Sequence, residues 1–360
     1  MAPGLSVEQC VDRLKRHHWL FRRLHETLLK RLPAEPVYEL KMAFSLHAHY
    51  CAEHAAAWRR RVAEMREPPL GLEAAPHPAL DVVGDELLAA PDTDALVLGL
   101  YGVVIPALRA AVARHQTETN RLVDHPTFRL CRFALIELQE MESYGQAAVK
   151  ALVSAERRQD LDQWTKVLHQ ALAAAGVPAE PTGEVDIPRH FSRPGEKPAY
   201  ERQPRRDERF PDPYNMGVHA EAFLYDDSIP PEPKTLMMYF KRLREIDVPE
   251  MMATLISDTT QRPWDYTVDM TRQLWDEARH AMMGEVGFIR AGIDWRQHVR
   301  VNFTWSLALN TQLDPLERHA VLYFIEQGLM PKTGKRFEWE VGVASGDAFA
   351  ALVQDYDWAD

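Results

Sequence analysis

The sequence predicts an all-α chain of two helical bundles in tandem, and three observations lead there. Ala, Leu, Glu, Arg and Met dominate the composition, and these side chains lose little on entering a helix. Long stretches carry the apolar spacing of amphipathic helices, whereas β-branched runs are few. Between Pro178 and Pro233, eleven prolines fall within 56 residues, so helix cannot continue and the chain divides there.

Each element follows from its local signals. Residues 6–31 form an amphipathic helix that stops at Pro33, and residues 37–66 form a second that ends before Pro68-Pro69. A third lies within 93–117. Asp124-His125-Pro126 reads as an N-cap followed by an early-helix proline, opening a helix over 126–154, and another covers 158–175. These make a first bundle over 1–176. The proline-rich stretch 177–234 is a crossover, of a length that often wraps a surface or covers a site. Helix resumes over 235–260 with a kink at Pro249, then 264–292, 295–311 and 315–329. A loop with Pro331 and Gly334 precedes a last helix from Ser345, so that 235–360 forms the second bundle.

Charge and cysteine usage exclude some classes. A net charge of −11 argues against a nucleic-acid backbone as the main partner. The basic stretch from Arg202 to Arg209 is interrupted by acids and reads as a solvated loop. Cys10, Cys51 and Cys131 have no paired spacing, which fits a reducing compartment. With no leader pattern and no long apolar run, the expectation is a soluble cytoplasmic protein without a membrane partner.

The sharpest local signal is Trp275-Asp276-Glu277-Ala278-Arg279-His280. Glu277 and His280 are three apart and share one helix face with Met270, Leu274, Ala281 and Gly284. An unpaired carboxylate in such a stripe costs on the order of several kcal/mol, and a metal ion removes that cost. Bundles that hold a metal pair use Glu-x-x-His on two helices and a single Glu on each of the other two. Glu250 precedes Glu277 with 26 residues between them, the separation of two antiparallel helices and a turn, although Asp247-Val248-Pro249-Glu250 equally suits an ordinary helix start. Glu326 shares an apolar face with Leu322, Tyr323, Leu329 and Met330, and wants a metal or a cationic partner. Asp276 is placed to orient a ligand imidazole. Tyr323 could bond a ligand carboxylate or simply pack, and His319 shares the Glu326 stripe or belongs to an ordinary first turn. Trp358-Ala359-Asp360 can be laid beside Trp275-Asp276-Glu277 as the start of a second half-site.

On these residues, 235–360 resembles the ferritin-like di-iron oxygenase and oxidase superfamily, whose pattern is two Glu…(Asp)Glu-x-x-His half-sites. It is similar to uncharacterised bacterial ferritin-like proteins and to the N-oxygenating branch of natural-product biosynthesis. The resemblance implies a ferritin-like bundle with Glu250, Glu277, His280 and Glu326 as metal ligands. It implies two irons, or a manganese–iron pair, that activate O2 for N- or C-oxygenation or oxidation of a small organic substrate. The substrate would enter beside the small residues Ala281 and Gly284. An external electron donor and a homodimer go with that reading; an iron-handling, ferroxidase-like protein and a metal-free helical scaffold are the alternatives. The sequence departs from the pattern at the fourth helix, where Glu-x-x-His is absent. The expectation is therefore either a continuation past Asp360 with Glu next and His three later, or a ligand from Glu140, His54 or a neighbouring chain. Without them the 360-residue chain is expected to hold at most one metal tightly.

The first half reads as a worn copy of the second. His47, Cys51 and His54 share one helical face, and Tyr50-Cys51-Ala52-Glu53-His54 overlays Asp276 to His280 with Cys51 in the place of Glu277. Glu137 and Glu140 are three apart in another apolar helix. The group is either a lower-ranked metal site, with thiolate and imidazole suited to zinc or iron, or the residue of a degenerate bundle. His17, His18 and His25 read as surface or groove residues.

Overall fold

The computed structural model describes residues 3–65, 71–182, 186–210, 220–301, 304–329 and 334–360. The fold is all-α, with no strand among the described residues. The chain forms two compact units, Met1–Leu28 with His47–Tyr200, and Leu29–Leu46 with Glu201–Asp360. This differs from the sequence division at 176 and 234 in two places. Residues 29–46 belong with the second unit, and the proline-rich stretch is divided between the units at residue 200.

The first unit draws on α1 (Val7–Arg31), α2 (Tyr38–Glu64), α3 (Pro78–Leu88), α4 (Thr93–Val97), a π-helical turn (Leu98–Val104), α5 (Ile105–Glu118), α6 (His125–Leu152), α7 (Ala155–Asp160) and α8 (Asp162–Ala174). Asp124 caps α6 by accepting from the Thr127 amide, as its Asp-His-Pro signal requires. Pro78 opens α3 in the first turn, where its missing N–H costs nothing. α3 packs on α8, and α5 on α6. Thr93–Glu118 is long and apolar enough to cross a membrane, contrary to the sequence expectation, but 72% of its apolar window is buried inside the fold, as in a core helix.

Glu86 of α3 organises the proline-rich residues of this unit. Its carboxylate is fully buried. It accepts from the amides of His190, Phe191 and Ser192 at 2.9, 2.9 and 3.2 Å, from the Ser192 hydroxyl at 2.6 Å and from the Trp164 indole at 3.0 Å. A segment that makes no helix or strand of its own thus places three backbone donors on one side chain.

The histidines of this unit overturn the surface reading. His17, His18 and His25 are buried, as are His47 and His115. His47 Nδ1 lies 2.7 Å from the Tyr101 hydroxyl, in the π-helical turn, and His17 Nε2 lies 3.1 Å from His115 Nδ1. Burial holds His25 and His47 down at about 3 and His18 and His115 at about 4. The unfolded chain takes up protons first, so each neutral histidine contributes stability that is complete above pH 6.5 and lost as the pH falls toward 4 and 3. Between pH 7.5 and pH 5 the first unit should lose about 2 kcal/mol for each such group. Urea unfolding followed by circular dichroism at the two pH values checks this. A first unit equally stable at both would show that these side chains are not neutral in the fold.

The second unit adds α9 (Ala220–Tyr225), α10 (Pro231–Arg244), α11 (Asp247–Asp258), α12 (Trp264–Arg290), α13 (Trp295–His298), α14 (Thr304–Gln312), α15 (Pro315–Leu329), α16 (Gly334–Ser345) and α17 (Ala348–Ala359). α10 packs on α12 and α16, α16 on α17, and α17 on α12, while α11 packs on α12, α14 and α15. The core between them contains Met238, Tyr239, Leu243, Ala278, Ala281, Phe288, Val341 and Ala350. The expected helix over 235–260 is two helices, and it breaks at Glu245-Ile246 and not at Pro249. Pro231, Pro233 and Pro249 lie in first turns, where proline is tolerated. α16 replaces most of the loop expected before Ser345, of which residues 331–333, like Met330, lie outside the described residues.

Candidate metal centre

α12 carries the stripe that the sequence predicts. Met270, Leu274, Ala278, Ala281, Gly284 and Phe288 are buried along it, with Glu277 and His280 among them. Glu245, at the C-terminal cap of α10, and Asp357, in the last turn of α17, approach His280 from two other helices. His280 Nδ1 lies 3.2 Å from Glu245 Oε2, 3.3 Å from Asp357 Oδ1 and 3.7 Å from Glu277 Oε2. His280 Nε2 lies 3.6 Å from Asp360 Oδ2. One ligand atom from each of Glu245, His280 and Asp357 falls within 4.8 Å of the others, the only group of three metal-binding side chains this close among the described residues.

Electrostatics sharpen the picture. Burial would lower His280, but its contacts with Glu245 and Glu277 and the nearby Asp357 raise it to about 10. Burial raises Glu277 to about 7; His280 opposes the rise, and Glu245 and Glu326 add to it. Arg242 lies among the same carboxylates. It touches Asp357 and reaches Glu245 at 3.1 Å and Glu338 of α16 at 3.8 Å. Lys241 bonds Glu338 as well.

Glu250 does not join this group. It is fully buried elsewhere in the unit, where Lys41 Nζ meets Oε1 at 2.9 Å and Arg206 donates to both oxygens at 3.1 and 2.8 Å. Ser306 adds a fourth donor at 2.9 Å. Burial would raise this carboxyl, but Arg206 and Lys41 outweigh it and hold Glu250 at about 2. The same contact corrects the reading of Arg202 to Arg209 as a solvated loop. Arg206 is buried, Arg202 pairs with Asp258 at 2.9 Å, and Arg209 clamps Glu39 at 2.5 and 2.7 Å.

The remaining sequence candidates divide. Glu326 is half-buried on α15, near enough to raise Glu277 but outside the close group. Asp276 turns to Arg279 and Arg272 and not to a ligand imidazole, and Arg279 also meets Asp360 at 2.6 Å. His319 Nδ1 lies 3.5 Å from the Tyr266 hydroxyl, and Tyr323 is exposed, edge-on to Phe324. Ala281 and Gly284 leave no room for a substrate. A Cβ on Gly284 would lie 2.3 Å from the Leu243 amide nitrogen, because the α10 backbone packs directly on it.

In the first unit, His54 Nε2 meets Glu137 at 2.6 Å and the Tyr50 hydroxyl donates to Glu140 at 3.0 Å. Cys51 is fully buried, and burial pushes its thiol up, away from the thiolate that a metal needs. With His47 turned to Tyr101, no three of the five candidates His47, Cys51, His54, Glu137 and Glu140 form a close ligand group.

Sequence reasoning missed Glu245, Asp357, Arg242 and Glu338. Asp357-x-x-Asp360 repeats the three-residue spacing of Glu277-x-x-His280, a signal that could have found Asp357. Glu245, behind a run of basic residues, carries no such mark. No family model matches the chain, and no curated protein or solved structure matches it either.

Two outcomes separate these roles. Glu250→Ala should destabilise the second unit by about 3–5 kcal/mol, since it strands two buried cations, while leaving metal content per folded chain unchanged. Loss of metal from folded protein would return Glu250 to the ligand set. Gly284→Ala should cost about 1–3 kcal/mol by forcing α10 from α12. Unaltered urea stability would mean that the two backbones are not in contact there.

Proposed function

We propose that the second unit is a ferritin-like, non-haem iron oxidase or oxygenase that uses O2 and an external electron donor on a small organic substrate. The observation that carries this reading is the convergence of half-buried Glu245 with buried His280 and Asp357 from three helices into one group. Two carboxylates and an imidazole without thiolate suit iron or manganese. Bound iron supplies the redox chemistry with O2. The protein holds the ligands in place: Arg242 fixes Asp357, and the close α10–α12 contact at Gly284 sets the spacing of Glu245 from His280. Glu277, one turn before His280 and close to Glu326, provides a further carboxylate on the same side.

Metal analysis of the purified chain after anaerobic loading with Fe(II) tests the reading. The wild type should retain iron through gel filtration. Glu245→Ala, His280→Ala and Asp357→Ala should each lower its affinity at least tenfold while keeping helical circular dichroism. Iron retained equally by all three folded variants, or by none including the wild type, overturns the assignment. Iron taken up far beyond the ligand set would favour iron handling over catalysis.

A further inference from the structure

We infer that Arg242 stands in this centre as a permanent cation where a second metal would otherwise sit, so that the site takes one divalent ion and not two. The inference rests on the metal-binding reading above. Arg242 is 3% exposed, in the last turn of α10 and three residues before Glu245. Its guanidinium touches Asp357 Oδ1, the oxygen that His280 Nδ1 approaches at 3.3 Å from the α12 side. It also reaches Glu245 Oε1 at 3.1 Å, while His280 faces Glu245 Oε2 at 3.2 Å. Asp357 and Glu245 are therefore each shared between an imidazole and a guanidinium, much as bridging carboxylates are shared between two metals.

The two partners differ in what they can give up. His280 can lose its proton and become a ligand, whereas a guanidinium keeps its charge inside proteins. Glu245, Glu277, Glu338 and Asp357 bring four negative charges when ionised, and Arg242 and Lys241 bring two fixed positive ones. Counting only the carboxylates that touch Arg242, Lys241 or His280, the remainder matches one divalent ion; Glu326 lies outside those contacts. A second ion would have to share the enclosed space with Arg242 and leave an excess of positive charge there, which burial strongly disfavours. Asp276 and Asp360 do not alter the count, because they hold Arg279 between them and Asp276 also meets Arg272 at 3.6 Å, two cations for two carboxylates.

The test is the binding stoichiometry of Mn(II), followed by calorimetry and by electron paramagnetic resonance on the whole chain. The wild type should bind one Mn(II) per chain with the six-line spectrum of an isolated ion. Arg242→Gln should admit a second equivalent, with the broadened signal of a coupled pair, and Arg242→Lys, which keeps the charge, should stay at one. Two coupled ions in the wild type, or a single ion in folded Arg242→Gln, would overturn the role of Arg242 and leave the metal site standing. No Mn(II) or Fe(II) bound to the wild type at all would remove the metal reading itself. If Arg242→Gln does not fold, the wild-type stoichiometry and spectrum decide the matter alone.

Discussion

A carboxylate taken out of water must meet a cation or a full set of donors, and the second unit is arranged around that constraint. Glu250 has Lys41 and Arg206, Asp258 has Arg202 and Arg318, and Asp357 has Arg242 and His280. Removing one partner of such a pair strands the other, so the contacts act less as independent bonds than as conditions that the backbone has to satisfy together. Lys41 also donates to the carbonyls of Leu32 and Pro33, which draws the turn between α1 and α2 into the same network. The chain over 202–210, which has no helix of its own, is positioned by the arginines it delivers.

The α12 stripe was legible because helical spacing and burial coincide there: Glu277 and His280 interrupt an otherwise apolar face, and the fold buries both. Glu250 lies apart from the α12 group, and its sequence could not show this for a physical reason. An acid in a helix first turn, a metal ligand and an ion-pair partner look alike until the cations are located, and Lys41 and Arg206 are far from it in sequence. Glu245 and Asp357 were hidden in the same way, since what marks them is the convergence of helix ends that a single-element pattern does not contain. The prolines punctuated the chain as expected, but three of them start helices where the sequence suggested a crossover or a kink.

The first unit shows that polar groups on a buried helix face need not be remnants of a site. His17 with His115, His47 with Tyr101 and His54 with Glu137 are each paired inside the fold, and every one of these pairs joins helical elements distant in sequence. His17, His47 and His115 serve here as neutral side chains that can donate and accept between buried helices.

Glu86 gives the first unit a different kind of dependence. Its two oxygens collect the amides of His190, Phe191 and Ser192, and the adjacent Asp85 takes Arg189 at 2.9 Å, so the order of that stretch is held at two neighbouring carboxylates of α3 and not spread along a ladder of repeated bonds. Such a segment has no register in which to slip and no partial state in which half of it is docked. It is either seated on this pair of carboxylates or detached as a whole, and a protease reaching the residues on either side would read the occupancy of one short turn of α3.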